Sequence, residues 1–349
     1  MQGGKMSYNL AFIGFGVVGQ GLAQLLDEKR DYLKDSFGLE YKVTAISDPV
    51  KGSVYQEGGL DLKKILAQVD KEGNINGYDQ GVKGWDSLKT INDTNADVIV
   101  EVSPTNIENG EPGISHIRAA LGEKKNVITT NKGPVALFYR ELSQLAKKNG
   151  VVLKFEGTVL SGTPAINLSL EALAGADVRE IKGIMNGTTN YMLTKMAEGQ
   201  SYEEVLKEAQ RLGYAETKPD ADVKGWDAQA KIVILANVVM GGMLTPGDVP
   251  TEGITQITLD DIENARKDGK KYKLIGHAWK EGGKVMARVS PQLVGAEDFL
   301  YHVNGVINAL TFDTDVLGKV TVVGPGAGKK ETGFSLLVDF LNMHCTRAK

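Results

Sequence analysis

The stretch YNLAFIGFGVVGQGLAQLLDEKRDYLKDSF, residues 8–37, decides how this chain begins to fold. Tyr8 to Ile13 is an apolar run of strand length, and from Val17 to Phe37 apolar residues recur at helical spacing (Leu22, Leu25, Leu26, Leu33). Between the two stand Gly14, Gly16 and Gly19 as GxGxxG. In a strand–turn–helix unit of this kind, backbone N–H groups at the helix start can meet a pyrophosphate. The motif alone also fits a tight βα turn packed through its glycines, but the strand before it and the helix after it favour dinucleotide binding. The turn residues expected at the cofactor are Gly14, Phe15, Gly16, Val17, Val18 and Gly19.

Outward from this unit the pattern repeats. A second strand, Tyr41 to Ser47, ends at Asp48, whose carboxylate can accept bonds from the adenosine ribose hydroxyls and so favours NAD. Asp48 is equally suited to be a turn residue before Pro49, and Lys51 stands close enough in sequence to reach a 2′-phosphate, so NADP stays open. A polar, glycine-rich excursion from Asp48 to Lys89 holds a short helix around Leu60–Val69. Short β-branched strands follow at Asp97–Val102 and Asn126–Thr129, with helical patterns at Gly113–Gly122 and Pro134–Asn149. Alternating strands and helices imply a parallel sheet covered on both faces.

Past Val151–Glu156 the rhythm changes. Helices dominate from Pro164 to Met243, strand-like segments crowd Lys271–Pro291 and His302–Val323, and Lys329–Leu341 is again amphipathic. The reading is an α/β chain with a dinucleotide-binding domain, residues 7–155 with 320–349, and an α+β domain, residues 156–319, inserted before a returning C-terminal helix.

The bulk composition narrows the partners. A chain of 349 residues with 42% hydrophobic and 24% charged residues suits two globular domains. A formal net charge of -4 gives no broad attraction to nucleic acid or to an anionic membrane, so a small-molecule partner is expected. No run approaches the ~18 apolar residues of a membrane span, and the opening MQGGKM lacks the apolar stretch of a secretory signal. A single cysteine, Cys345, excludes an intrachain disulfide and makes a cytoplasmic setting the default. His116, His277, His302 and His344 show no ligand spacing, so no transition metal is expected.

The segment richest in chemistry is RLGYAETKPDADVKGWDAQAK, residues 211–231, which gathers Glu216, Asp220, Asp222, Asp227 and Lys231. With a helix starting near Asp222, Asp227 and Lys231 stand at i,i+4 on one face, where a carboxylate can orient an ammonium. By spacing alone the pair also fits a solvated surface ion pair, and Asp220 or Asp222 a plain N-cap. Near the end, VVGPGAGKKETG, residues 322–333, is a second glycine turn opening a helix. Its lysine pair lacks the spacing of a phosphate-binding P-loop.

Taken in order, GFGVVG, EVSPT (101–105), TTNKGP (129–134), EGTVLSGTP (156–164), GIMNGTTNYML (183–193), LGYAE with GWDAQAK (212–231) and GPGAG (324–328) resemble the homoserine dehydrogenases over nearly the whole chain. The resemblance implies a Rossmann-type doubly wound sheet joined to a substrate-binding and dimerisation domain, and a soluble, cytoplasmic homodimer. It implies NAD or NADP as cofactor, and interconversion of L-aspartate 4-semialdehyde and L-homoserine in threonine and methionine biosynthesis. By the same resemblance Lys132 and Lys231, with Asp227, face the reacting carbon. Glu216, Asp222, Gly187, Thr188 and Tyr214 line the substrate pocket. Ser103, Pro104, Thr105, Lys132 and Gly326 join the cofactor turn and Asp48. Glu156, Val159, Ser161 and Thr163 match the positions that hold a structural sodium or potassium ion, largely through backbone carbonyls.

Two departures stand out: Leu160 where the family's cation loop has a small residue, and Gly333 where the family's final turn runs into alanine. The chain leaves no room for an added kinase or a C-terminal regulatory domain of the kind some relatives carry, so feedback inhibition through such a domain is not expected. Two rival readings are weaker. An aspartate-semialdehyde dehydrogenase needs a nucleophilic cysteine inside its second domain, and the cysteine here is Cys345. A nonenzymatic NAD-binding regulator has no use for Lys132, Asp227 and Lys231 together.

Overall fold

The computed structural model describes residues 7–347; the MQGGKM opening lies outside them. In chain order the strands are β1 (Ser7–Ile13), β2 (Glu40–Asp48), β3 (Gly52–Tyr55), β4 (Val82–Lys83), β5 (Val98–Glu101), β6 (Asn126–Thr129), β7 (Leu153–Lys154), β8 (Val178–Ile184), β9 (Lys270–Glu281), β10 (Lys284–Gly295), β11 (Ile307–Thr314) and β12 (Gly318–Pro325). The helices are α1 (Val17–Glu28), α2 (Arg30–Phe37), α3 (Leu62–Glu72), α4 (Ser87–Asp93), α5 (Gly113–Gly122), α6 (Lys132–Asn149), α7 (Gly187–Ala197), α8 (Tyr202–Arg211), α9 (Asp220–Val223), α10 (Trp226–Val239), α11 (Leu259–Lys267) and α12 (Lys329–Arg347). They fall into two units: one runs through Gly162 and resumes at Gly328, and the other is Thr163–Ala327.

The first unit is built on a sheet of order β4-β3-β2-β1-β5-β6-β7. From β2 to β7 neighbouring strands are parallel, while β3 and β4 add an antiparallel edge. Strand residues alternate between two cores. Leu10 and Phe12 pack with α1, α3 and α12 on one face, and Ala11 and Ile13 pack with α4, α5 and α6 on the other. That is the two-sided burial a parallel sheet requires. The chain crosses from one side of β1 to the other between β2 and β5, which opens a crevice at the strands' carboxyl ends.

α12 returns to this unit along α1, and the two backbones come close. A Cβ on Gly21 would lie 2.1 Å from the Lys329 carbonyl oxygen, and one on Gly333 would lie 2.6 Å from the Gly21 backbone. Gly333, the departure from the family's alanine, is therefore a close-packing glycine. Phe340 then reaches the core edge-on to Tyr8 and Tyr41.

The second unit carries a sheet of order β10-β9-β8-β11-β12, antiparallel throughout. Lys273 of β9 is 1% exposed, its ammonium held by the Val303 carbonyl, Asn190 Oδ1 at 3.0 Å and Asn304 Oδ1 at 3.3 Å. Burial, aided by the nearby Lys271, pushes its pKa down to about 8.

Several details differ from the sequence reading. The helix expected over 17–37 is broken at Lys29, which lets Leu33 turn into the core. The excursion from Asp48 also holds β3, β4 and α4. β8 lies within the stretch read as helical, its pairing partners β9 and β11 being remote in sequence. The two strand-rich segments are each a hairpin, β9–β10 and β11–β12. The boundaries expected at 155/156 and 319/320 move to 162/163 and 327/328. β12 belongs with β11, and the segment after β7 hydrogen-bonds to α12 through Glu156 N and Asp339 Oδ2 (2.8 Å).

Gly21→Ala forces α1 away from α12 and lowers the unfolding free energy by about 1–3 kcal/mol in urea denaturation. Lys273 releases its proton more readily folded than unfolded, so its unfavourable contribution is full below about pH 8 and fades as pH rises towards the unfolded value. The stability of wild type relative to Lys273→Met therefore increases between roughly pH 7 and pH 10, by on the order of 1–3 kcal/mol. A flat difference across that range contradicts the assignment.

Candidate functional site

In the first unit Gly14 follows β1 with φ +94°, and its N–H donates to the Ser47 carbonyl at 2.8 Å. A Cβ there would lie 2.5 Å from the Val102 carbonyl oxygen, so only glycine lets the turn sit between β2 and β5. A Cβ on Gly19 would stand 3.0 Å from the Gly14 carbonyl oxygen, whereas one on Gly16 meets nothing. Gly16 is the N-cap of α1 and offers no side-chain acceptor, which leaves the first N–H groups of the helix for an external anion. Val17 is exposed and Val18 half-buried beside it. A cleft of 510 Å³ runs from this turn, lined by Gly14, Asp48, Trp85, Ser103, Pro104 and His116 among others. The open glycine face, uncapped helix start and adjoining cleft fit the pyrophosphate and nucleoside of a dinucleotide.

Asp48 takes the turn role read for it. Its carboxylate accepts from Phe15 N (2.7 Å), Val50 N (2.8 Å) and Lys51 N (2.7 Å), so it organises the turn while it borders the cleft. Lys51 is committed elsewhere, donating to the Gly73 carbonyl at 3.0 Å. Lys83, on a short edge strand that no sequence pattern marked, lines the cleft, with its own Nζ donating to the Asn76 carbonyl at 2.6 Å.

Ser103, Pro104 and Thr105 form the loop after β5. It is anchored by Glu101, a fully buried carboxylate that accepts from Ser103 N (3.2 Å), the Ser103 hydroxyl and Thr129 Oγ1 (3.2 Å), and lies 3.4 Å from His116 Nδ1. Asn131, the N-cap of α6, donates to the Ser103 carbonyl at 3.3 Å. Lys132 is thus the first residue of α6, half-buried, two residues before the helix start expected from sequence.

The loop after β7 holds Glu156, Val159 and Ser161, all buried. Leu160 and Ser161 adopt φ +54° and +55°, two adjacent non-glycine residues in the left-handed region. Strain of this kind persists where the surroundings impose it, often at ligand sites. The Ser161 hydroxyl pairs with Thr332 Oγ1 at 2.7 Å. Thr163 falls in the second unit, where its hydroxyl donates to the Pro325 carbonyl at 2.9 Å. Among the described residues no cluster of His, Cys, Asp or Glu could hold a metal ion.

The second unit gathers its chemistry around Asn186. As the N-cap of α7 its Oδ1 accepts from Thr189 N (2.9 Å), while Nδ2 donates to Asp222 Oδ1 (2.7 Å) and Asp227 Oδ2 (2.9 Å). Asp227 Oδ2 also accepts from Lys231 Nζ at 2.7 Å, and Nζ donates in turn to the Met185 carbonyl at 2.7 Å. The expected i,i+4 pair is therefore not a solvated one: the Lys231 side chain is 9% exposed and that of Asp227 13%. Its helix starts later than read. α9 is a single turn, Gly225 breaks it at φ +82°, and α10 begins at Trp226 with Asp227 in its first turn.

Gly187 and Thr188 open α7, and the Thr188 hydroxyl donates to the Tyr214 carbonyl at 2.5 Å. The Tyr214 ring meets Tyr191 edge-on and is half exposed to solvent. Glu216 stands apart: it is exposed, and its carboxylate enters none of these bonds. Gly326 lies in the second unit against the side chain of Asn308. Asn186 itself was missed by the sequence reading, although asparagine directly before Gly-Thr-Thr is an N-cap signal.

These two units define a Rossmann-type dinucleotide-binding protein whose second unit presents a lysine–carboxylate pair. The chain matches the family model "Homoserine dehydrogenase, NAD binding domain" over residues 14–156 and "Homoserine dehydrogenase" over residues 164–341. It is 42% identical to the NAD(+)-dependent homoserine dehydrogenase of Pseudomonas canavaninivorans, covering 97% of this chain and 96% of that one. It is 44% identical to the homoserine dehydrogenase of Methanocaldococcus jannaschii, covering 98% and 100%. Its fold superposes on a hyperthermophilic archaeal homoserine dehydrogenase solved with NADPH, with a TM-score of 0.85 at 31% identity over 98% of each chain. The chain belongs to the homoserine dehydrogenase family.

Asn186→Ala removes a helix cap and the amide shared by two carboxylates. Equilibrium unfolding should show a loss of about 1–2 kcal/mol, of which Asn186→Ser recovers the capping share because serine caps α7 but is too short to bridge Asp222 and Asp227. An alanine variant as stable as wild type contradicts this role.

Proposed function

We propose that this chain catalyses the reversible reduction of L-aspartate 4-semialdehyde to L-homoserine with NAD or NADP. The observation that carries the reading is the buried ammonium of Lys231. It has three protons; Asp227 and the Met185 carbonyl accept two, and the third is left for a substrate oxygen. A nicotinamide dinucleotide, when bound, supplies or takes the hydride. Reduction of the aldehyde then needs a proton at the oxygen and cationic stabilisation of the charge that develops there.

Lys231 is the proton donor in this reading, Asp227 its orienting partner and Lys132 a second cation for the same oxygen. Asn186 keeps the Asp227 carboxylate aimed at the ammonium. The substrate's α-ammonium suits Asp222, with Glu216 on the loop below Tyr214. Its α-carboxylate suits the N–H groups of Gly187 and Thr188, which have no intrahelical acceptor. On the cofactor side Gly14, Gly16 and Gly19 with Ser103, Pro104 and Thr105 flank the dinucleotide, and the carbonyls of the 156–161 loop support a sodium or potassium ion. The same reading includes a cytoplasmic homodimer. Among the described residues no helix is long and apolar enough to cross a membrane.

Following the absorbance of the reduced cofactor tests the reading. Wild type given L-homoserine with NAD or NADP should form reduced cofactor, and Lys231→Ala should lose roughly 10²–10⁴ in kcat while it remains folded. A folded wild type that turns over neither cofactor in either direction removes the assignment.

A further inference from the structure

Asn308 is the second residue of β11, fully buried at 0% exposure, and among the described residues neither its Oδ1 nor its Nδ2 has a hydrogen-bond partner. Its main chain is in register with Gly324 of β12, which fixes its place beside the 324–327 turn. Burying both polar atoms of an amide unpaired is costly, and such a group in a native fold calls for a reason. Its surroundings supply one. A Cβ on Gly187, the first residue of α7, would lie 3.4 Å from Asn308 Oδ1, and a Cβ on Gly326 would lie 2.4 Å from the amide group. The amide is therefore wedged between a helix start with unspent N–H groups and the 324–327 turn. Neither neighbour projects a side chain between the amide and the helix start. α7 is tied to the start of β11 by the bond from Asn190 Nδ2 to the Ile307 carbonyl, 3.0 Å, which keeps Asn308 beside Gly187.

We propose that Asn308 is a substrate-positioning residue that recognises the α-amino-acid head of the substrate, an inference that rests on the reaction given above. A primary amide presents a donor and an acceptor side by side, as an α-amino acid presents a carboxylate and an ammonium. Nδ2 donates to the carboxylate, which also meets the N–H groups of Gly187 and Thr188, and Oδ1 accepts from the ammonium, which also meets Asp222. Gly326 lies over the amide in the turn 324–327, whose largest side chain is Pro325.

Two variants of the full chain test this. Asn308→Asp keeps the shape but sets an acceptor against the carboxylate, and Asn308→Leu removes both polar atoms. The KM for L-homoserine should rise about ten- to hundredfold in each, from the loss of bonds to charged groups, while the KM for the dinucleotide stays at the wild-type value. Asn308→Leu should also melt at or above the wild-type temperature, because it no longer buries an unpaired amide. A residue that served only the fold, for example by holding a buried water, would give a leucine variant of lower melting temperature with its KM for L-homoserine unmoved, and that result overturns the proposal. If wild type itself fails to oxidise L-homoserine, the reaction assignment falls and this site with it. Turnover by wild type with unmoved KM in both variants sinks the Asn308 inference alone.

Discussion

The second unit is organised by one side-chain amide. Asn186 accepts the Thr189 N–H and so starts α7, and it donates to Asp222 and Asp227, which come from α9 and α10. Two carboxylates converging out of solvent repel each other unless donors intervene. One amide nitrogen with two protons, followed by the Lys231 ammonium on Asp227, meets that requirement. Three helices are thereby held in one arrangement, and the Lys231 ammonium is the group that closes the network.

The first unit obeys a constraint of another kind, the close approach of backbones. Gly14 fits only because a carbonyl of the segment after β5 lies where a side chain would be, and Gly21 and Gly333 let α1 and α12 touch. Both requirements are steric, and both serve the crevice: the first shapes the turn beneath it, and the second fixes the helix whose N-terminus faces it. Glu101 adds an electrostatic tie. Buried at the carboxyl end of β5, it binds the following loop, β6 and the helix of His116, so the rim of the cleft is set by a carboxylate that is itself out of reach of solvent.

Against this background the sequence was legible in an uneven way. The β1–turn–α1 unit could be read because its signals are local: an apolar run, spaced glycines, then helical periodicity. The pairing of Asp227 with Lys231 could also be read, since i,i+4 spacing survives a shift of the helix start from Asp222 to Trp226. β8 could not, because VREIKGI alternates too briefly among helices and becomes a central strand only when β9 and β11 reach it. Asn308 was equally silent. Nothing in its neighbours in sequence says that both ends of its amide are buried without partners.

By itself the sequence determined what depends on neighbouring residues: an α/β order of elements, a glycine turn from strand to helix at Gly14–Gly19, a lysine and a carboxylate one helical turn apart, and motifs whose order along the chain resembles one enzyme family. The tertiary structure decided what depends on distance through space. It turned an ordinary ion pair into a buried one, gave Asn186 its two carboxylates, spent Lys51 on a carbonyl and put Lys83 at the cleft, and left Glu216 exposed. Burial and hydrogen-bond partnership are properties of packing between segments far apart in the chain. Local pattern carries no record of them until the sheets and helices have closed around each side chain.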